Sequence, residues 1–220
     1  MIKKIVKPED KKALTKRKIK NLLKKNNPVI LEIGANTGVD TKEFLDEFRR
    51  IKIFCFEPDE RAIKRFKKRV KDKRCELFEI AISSKNGQTT FYVSDGKGPK
   101  KGWNLSSSIK KPKNHLKLNP DITFDKKMIV KTKRLDTWAK ENKIGRIDFI
   151  WADVQGAERE LIKGGIKTLN NKTKYFYTEF SNDELYEGQP TLDEICQLLP
   201  NFKIIEIFGD DVLLKNNNLN

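Results

Sequence analysis

The 220-residue chain has a single histidine, His115, and only three cysteines, Cys55, Cys75 and Cys196. An odd count without close Cys-x-x-Cys spacing excludes a disulfide framework and a cysteine-based zinc site, so the thiols read as reduced core residues. No stretch reaches the roughly 18 consecutive apolar residues of a membrane span, and Met1–Asp10 lacks the apolar centre of a secretory leader. These absences predict a cytoplasmic protein without a membrane span. Apolar residues are also scarce, at 37%, against 35% charged. They are gathered into short strand-like runs, however, which argues for a folded chain of one domain.

What is present in excess is positive charge, a formal +16 at pH 7. Such a field attracts nucleic acid, anionic glycan or a membrane surface. The lysines are spread over nearly every segment, which favours a solvated surface over a dedicated polyanion site.

Residues 1–27 form a lysine-rich N-terminal appendage in which Ala13, Leu14, Ile19, Leu22 and Leu23 predict an amphipathic helix. The main domain is expected over 28–216. Val29–Ile33 reads as a buried parallel strand, Asp40 to Glu43 as a capping box opening a helix, and Ile51–Phe56 as a second strand. Asp59 can cap the next helix, and Leu77–Ile82 is the third strand. Strands alternating with helices imply right-handed βαβ units and a doubly wound α/β sheet. Gln88–Val93 and Met128–Thr132 interrupt this rhythm, and a long loop is expected over about 96–127. After a helix at Leu135–Glu141 come the strand Ile147–Ala152 and a helix near Ala157–Lys163 that Gly164 and Gly165 should close. The strand Tyr175–Phe180 follows, then a second capping box at Thr191 to Glu194. A terminal antiparallel hairpin, Lys203–Phe208 with Val212–Lys215, turns at Gly209 and Asp210.

The strongest local signal is Glu32-Ile33-Gly34-Ala35-Asn36-Thr37-Gly38 at the end of the first strand. Its glycines permit a sharp turn and close approach of a ligand to the backbone, at the strand edge where open α/β sheets bind ligands. It has neither the third glycine of a dinucleotide fingerprint nor the Lys-Ser/Thr of a P-loop. Glu57 ends the second strand, about twenty residues on, where a carboxylate can take both hydroxyls of a ribose. Asp153 ends another core strand, so three strands deliver glycine-rich or acidic ends to one rim.

These residues resemble the FkbM-type methyltransferases within the S-adenosylmethionine-dependent class. Besides Glu32 to Gly38 and Glu57-Pro58, the resemblance rests on Ala81-Ile82-Ser83, the serine run in the long loop, Arg134-Leu135-Asp136, Asp153-Val154-Gln155-Gly156-Ala157-Glu158 and Gly209-Asp210-Asp211-Val212. It implies a Rossmann-like, mostly parallel seven-stranded sheet with S-adenosylmethionine over its carboxyl edge. By that comparison Gly34, Asn36 and Gly38 approach the methionine part of the cofactor, Glu32 and Thr37 of the same motif also serve the cofactor, Glu57 holds the ribose, Ala81 and Ile82 lie near the adenine, and Asp153 faces the methionine end or the substrate. The implied reaction is O-methylation, with a sugar or glycan as acceptor.

Removing the proton of a poorly nucleophilic hydroxyl calls for a base. The candidates are Asp153, Glu158, Glu179 and His115. Asp153 also fits a helix N-cap, Glu179 a surface residue and His115 a solvated loop. Asp153 and Glu179 would suffice as oxygen ligands for a divalent metal, which nothing in their spacing demands. In the long loop Trp103, Asn104, Ser106, Ser107 and Ser108 are expected to meet the acceptor, with flanking lysines suited to an acidic one. Two alternatives stay open: an RNA methyltransferase, against which this chain has Asp153-Val154-Gln155-Gly156 and no Asn-Pro-Pro-aromatic tetrad for exocyclic amino groups, and a non-catalytic polyanion-binding module.

Overall fold

The computed structural model describes residues 13–219, so most of the lysine-rich stretch before Leu14 lies outside it. A seven-stranded sheet is built from β1 (Val29–Ile33), β2 (Lys52–Phe56), β3 (Cys75–Phe78), β7 (Ile147–Ala152), β8 (Thr173–Glu179), β9 (Phe202–Phe208) and β10 (Asp211–Asn216). Their order is β3-β2-β1-β7-β8-β10-β9. The first five strands in that order are parallel, and β10 runs antiparallel to both β8 and β9. Central strands covered on both faces must be apolar nearly throughout, and β1 is Val-Ile-Leu-Glu-Ile. Its Glu32 is tolerated because Thr41 Oγ1 donates to it at 2.5 Å.

Helices cover both faces. On one, α5 (Leu135–Glu141), α6 (Glu158–Lys172) and α7 (Leu192–Leu198) bury Trp138, Leu161 and Ile195 against Leu31, Phe54 and Ile150. On the other, α1 (Lys16–Leu23), α2 (Val39–Glu47) and α3 (Glu60–Arg69) bury Ile19, Phe44 and Phe66 against Ile30, Ile53 and Phe149. The helix expected in an appendage is therefore packed into the domain. Lys16 is only 7% exposed, ion-paired to Asp40 and lying over the Trp151 ring at 3.7 Å.

Several elements depart from the sequence reading. The expected third strand is two: β3 stays in the main sheet, while β4 (Ala81–Ile82) pairs with β6 (Ile122–Lys133). With β5 (Gly87–Gly96) these form a second sheet, β4-β6-β5. The β5–β6 hairpin shortens the expected loop to 97–121, which also holds the short helix α4 (His115–Leu118). Helix α2 starts at Val39, with Gly38 as its N-cap and no side-chain cap. Asp40 and Glu43 thus do not form the expected capping box; both lie beside Lys16. Helix α6 runs through Gly164 and Gly165 instead of ending there. A Cβ at Gly164 would stand 2.0 Å from the Ser83 carbonyl oxygen, and one at Gly165 would stand 2.8 Å from Leu135. Close packing against β4 and α5 outweighs the roughly 0.5–1 kcal/mol that a helical glycine costs. The capping box at Thr191 and Glu194 and the C-terminal hairpin are present as expected.

Candidate active site

The carboxyl ends of β1, β2 and β7 meet at a cleft of about 610 Å³, including its open mouth. Gly34 makes this convergence sterically feasible: its φ is +91°, and a Cβ there would lie 1.8 Å from the Asp153 carbonyl oxygen. Its N–H donates to the Phe56 carbonyl at 2.9 Å. The chain then turns through Asn36, itself in the left-handed region at φ +44°.

Glu57 lies on the cleft wall, 5% exposed. Its Oε2 accepts the Asn36 N–H at 2.8 Å and its Oε1 accepts the Asp59 N–H at 2.8 Å. Burial pushes its carboxyl up to about 7, against those two bonds, which favour the ionised form. A carboxylate has about four acceptor positions, so each oxygen keeps capacity for a ligand hydroxyl. Pro58, Ile80, Ala81, Ile82 and Phe91 form an apolar wall beside it. An oriented carboxylate next to an apolar slot is suited to a ribose diol and a planar base.

A strap, residues 104–109, lies across the cleft. Asn36 Nδ2 donates to the Asn104 carbonyl at 3.1 Å, clasping the strap to the glycine turn. The strap's far side is held by Ser108 Oγ, which donates to the Gln155 carbonyl at 2.7 Å. Asp153, following β7, stands at the mouth, reachable by solvent but crowded by protein elsewhere. That crowding raises its carboxyl, as does Asp40, while a bond from Gln155 opposes the rise. Gln155 Nε2 donates to Asp153 Oδ1 at 2.7 Å and to Glu179 Oε2 at 3.2 Å. Glu179 is raised well above the carboxylate range by burial and then by Asp153, Glu158, Asp211 and Asp210. Glu158 is fully buried, accepting the Gly156 N–H at 3.1 Å through Oε1, and its carboxyl is pushed up to about 8.

Gly34, Asn36, Glu57, Ala81, Ile82, Asn104, Ser107, Ser108 and Asp153 share this cleft. Other candidates stand elsewhere. Glu32 is beneath the turn on Thr41 and Cys55, away from the cleft wall, its carboxyl raised by burial to about 8. Gly38 is buried against Phe66, and Thr37 faces a shallower neighbouring depression. That depression is walled by Trp103, Arg65, Lys100 and Lys101.

The serine run, expected to present hydroxyls to an acceptor, has them engaged within the protein. Ser106 Oγ accepts from Trp103 Nε1 at 3.1 Å, and Ser107 Oγ accepts the Ser94 N–H at 2.9 Å. Nor is His115 a solvated loop residue or a group on the cleft wall. It is 5% exposed, packed on Phe124 and Tyr186, and its imidazole is lowered by burial. Among the described residues no three His, Cys, Asp or Glu side chains converge as a metal site. Tyr186 joins this site without a sequence signal. Its hydroxyl lies 2.7 Å from the Ser106 carbonyl and 3.1 Å from Gln155 Oε1, partners 80 and 31 residues away that no local motif marks.

Comparison with known proteins gives this arrangement its family. Residues 32–204 match the Methyltransferase FkbM domain. The chain is 47% identical over 208 residues to the 2-O-methyltransferase NoeI of Sinorhizobium fredii (strain NBRC 101917 / NGR234), covering 92% of this chain and 85% of that protein. Among solved structures, a putative rRNA-methylase from Clostridium thermocellum shares the fold at a TM-score of 0.50 and 8% identity, over 93% of this chain and 97% of that one. The family match spans both the glycine turn and the Asp153 segment, and the chain belongs to the FkbM family of S-adenosylmethionine-dependent methyltransferases.

Proposed function

We propose that the chain transfers the methyl group of S-adenosylmethionine to a hydroxyl oxygen of a sugar or glycan, with Asp153 as general base. The observation that carries this is the placement of Asp153: at the mouth of a nucleoside-shaped cleft, oriented by Gln155, with Glu179 behind it. The 2-O-methyltransferase activity named for the 47% identical relative supports transfer to oxygen. Residues 28–216 would carry the activity, and three free cysteines suit a reducing cytoplasm.

The donor, when bound, supplies a methyl group activated on a sulfonium. Glu57 would hold the ribose hydroxyls, the wall of Pro58, Ile80, Ala81, Ile82 and Phe91 the adenine, and Gly34 and Asn36 the methionine end. Asp153 takes the hydroxyl proton as the oxygen becomes more nucleophilic. The protein packed around Asp153 raises its carboxyl and the Gln155 bond opposes that rise. Glu179 beside it is raised well above the ordinary carboxylate range by burial and by the neighbouring carboxyls, Asp153 first among them. On the outer side of the strap, the Trp103 ring offers an apolar face to a sugar, and Arg65 and Lys101 suit an acidic substituent.

Labelled S-adenosylmethionine with a panel of neutral and acidic oligosaccharides, and with RNA, tests this reading. Label should enter an oligosaccharide at an oxygen. Asp153→Asn should lower turnover by roughly 100-fold to 10,000-fold while S-adenosylhomocysteine still binds. Label entering RNA alone would replace the acceptor class, full activity of Asp153→Asn would remove the base, and failure to bind either cofactor form would leave a non-catalytic module.

A further inference from the structure

We propose that Gln155 is a positioning residue for methyl transfer: its amide nitrogen aims the Asp153 carboxylate and tethers it to Glu179, while Tyr186 sets which way the amide faces. The proposal rests on Asp153 being the base.

Gln155 is held at both ends of its side-chain amide and at its main-chain carbonyl. One N–H of Nε2 goes to Asp153 and the other to Glu179. Its side-chain oxygen lies 3.1 Å from the Tyr186 hydroxyl, and its main-chain carbonyl accepts Ser108 Oγ. It is a non-glycine residue in the left-handed region, at φ +50°, a conformation that persists only where its surroundings over-determine it. An amide rotated by half a turn would aim its oxygen at the Asp153 carboxylate, which is an acceptor only. The observed orientation avoids that repulsion, and the single phenolic proton is shared between the Ser106 carbonyl and Gln155 Oε1. Tyr186 is kept a neutral donor, because burial and then Glu179 and Asp153 raise its hydroxyl beyond the ordinary phenol range.

Tyr186 is itself seated by the insertion. Lys113 N and His115 N both donate to the Leu185 carbonyl, at 2.8 and 3.1 Å, and Glu187 N donates to the Lys111 carbonyl at 2.9 Å. The His115 and Phe124 rings lie 5.5 and 6.4 Å from the tyrosine ring. The sole histidine thus props the residue that orients Gln155, and the loop that carries the strap is tied to the base.

The titratable groups that couple to Asp153 are Asp40 of α2, Glu57 after β2, Glu158 of α6, Glu179 and Tyr177 of β8, and Tyr186. Lys16 is paired to Asp40. Every group in this set except Lys16 is negative when ionised, and the Gln155 amide donates to the Asp153 carboxylate from the protein side, favouring its ionised form beside them.

The test uses the full chain with S-adenosylhomocysteine bound and ¹³Cγ-labelled aspartate, following the Asp153 resonance against pH; Asp153→Asn assigns it. Gln155→Met removes the donors at similar volume and should raise the Asp153 midpoint by about one pH unit, the equivalent of one hydrogen bond. Gln155→Glu should raise it further, and Tyr186→Phe less. Methyl transfer to the oligosaccharide panel should lose kcat, its acid limb moving up in parallel, with KM for the donor nearly unchanged. If Gln155→Met does not fold, the isosteric Gln155→Glu decides. An unchanged midpoint in a folded variant overturns the positioning role even if Asp153→Asn is inactive. An active Asp153→Asn overturns the base assignment instead.

Discussion

Glu57 at the end of β2 and Asp153 at the end of β7 flank the central strand β1 from opposite sides, yet they are held by different means. Main-chain N–H groups of Asn36 and Asp59 fix both Glu57 oxygens. Asp153 is aimed by the side chain of Gln155, itself held by Tyr186 and Ser108. Main-chain donors come with the fold and survive most substitutions, whereas side-chain donors can be retuned one residue at a time. On the proposed assignment of Glu57 to the nucleoside and Asp153 to the acceptor, main-chain donors fix the geometry of the first side and a side chain sets the position of the second. One sheet edge can in this way keep a common donor while its acceptor chemistry changes.

The comparison breaks most severely at Gly34, which touches both sides. Gly34→Ala must place a Cβ 1.8 Å from the Asp153 carbonyl oxygen in a backbone conformation of φ +91°. Chemical denaturation should show a loss on the order of 3 kcal/mol or more, and calorimetry should show no cofactor binding. A folded variant with wild-type affinity would mean that the strand ends can separate without harm.

Glu57→Ala is next in size. It removes a charged acceptor and should weaken S-adenosylhomocysteine by about 1.5–3 kcal/mol, roughly tenfold to a hundredfold. Titration calorimetry reads this directly, and an unchanged constant would place the ribose elsewhere. The same carboxyl predicts a pH dependence. Free, it sits near 7, and ribose hydroxyls donating to its ionised form would lower it, so binding should release a proton below neutrality. Affinity should then rise with pH, by up to about tenfold between pH 6 and pH 8. Glu57→Gln should flatten that rise; a slope that survives the substitution belongs to another group.

The same contrast explains what was legible in the sequence. β1, the second strand and the strand before Asp153 are short apolar runs with turn signals, and the glycine turn and Glu57 follow them directly, so the nucleoside side reads from local pattern. The acceptor side does not. Gln155 meets Glu179 across 24 residues and Tyr186 across 31, and nothing in the intervening pattern marks these meetings. The serine run reads as a set of free hydroxyls because Ser94 of β5 and Gln155 after β7 are 13 and 47 residues from the serines they meet, and no pattern marks Trp103, three residues away, as a donor to Ser106. Gly164 and Gly165 looked like a helix stop, since the close neighbours that require them, Ser83 and Leu135, are distant in sequence. Local propensity had no access to either fact. From the sequence His115 reads as a base or a solvated loop residue, and a lysine-rich neighbourhood gives no sign that it folds inward onto Tyr186.

The smallest effect on ligand binding is expected at Glu32, whose carboxyl is engaged by Thr41 and Cys55 and does not line the cleft. Glu32→Gln keeps an acceptor for the Thr41 hydroxyl and should leave S-adenosylhomocysteine affinity unchanged. Its signature is instead in stability against pH. The folded carboxyl is raised to about 8, from 4.5 in the unfolded chain, so between those values the folded state holds a proton that the unfolded state has released. Stability from this group is full below the unfolded value and is lost as pH rises toward 8. Wild type should therefore lose more melting temperature than Glu32→Gln between pH 5.5 and pH 8.5. Glu57 and Glu158, also raised, contribute with the same sign in both proteins and cancel in the difference. Thermal melts at constant ionic strength supply the measurement. Parallel curves would show that Glu32 is ionised at neutrality despite its burial. A large loss of cofactor affinity would mean instead that this carboxyl reaches the ligand, and that the nucleoside side is held by more than main-chain donors.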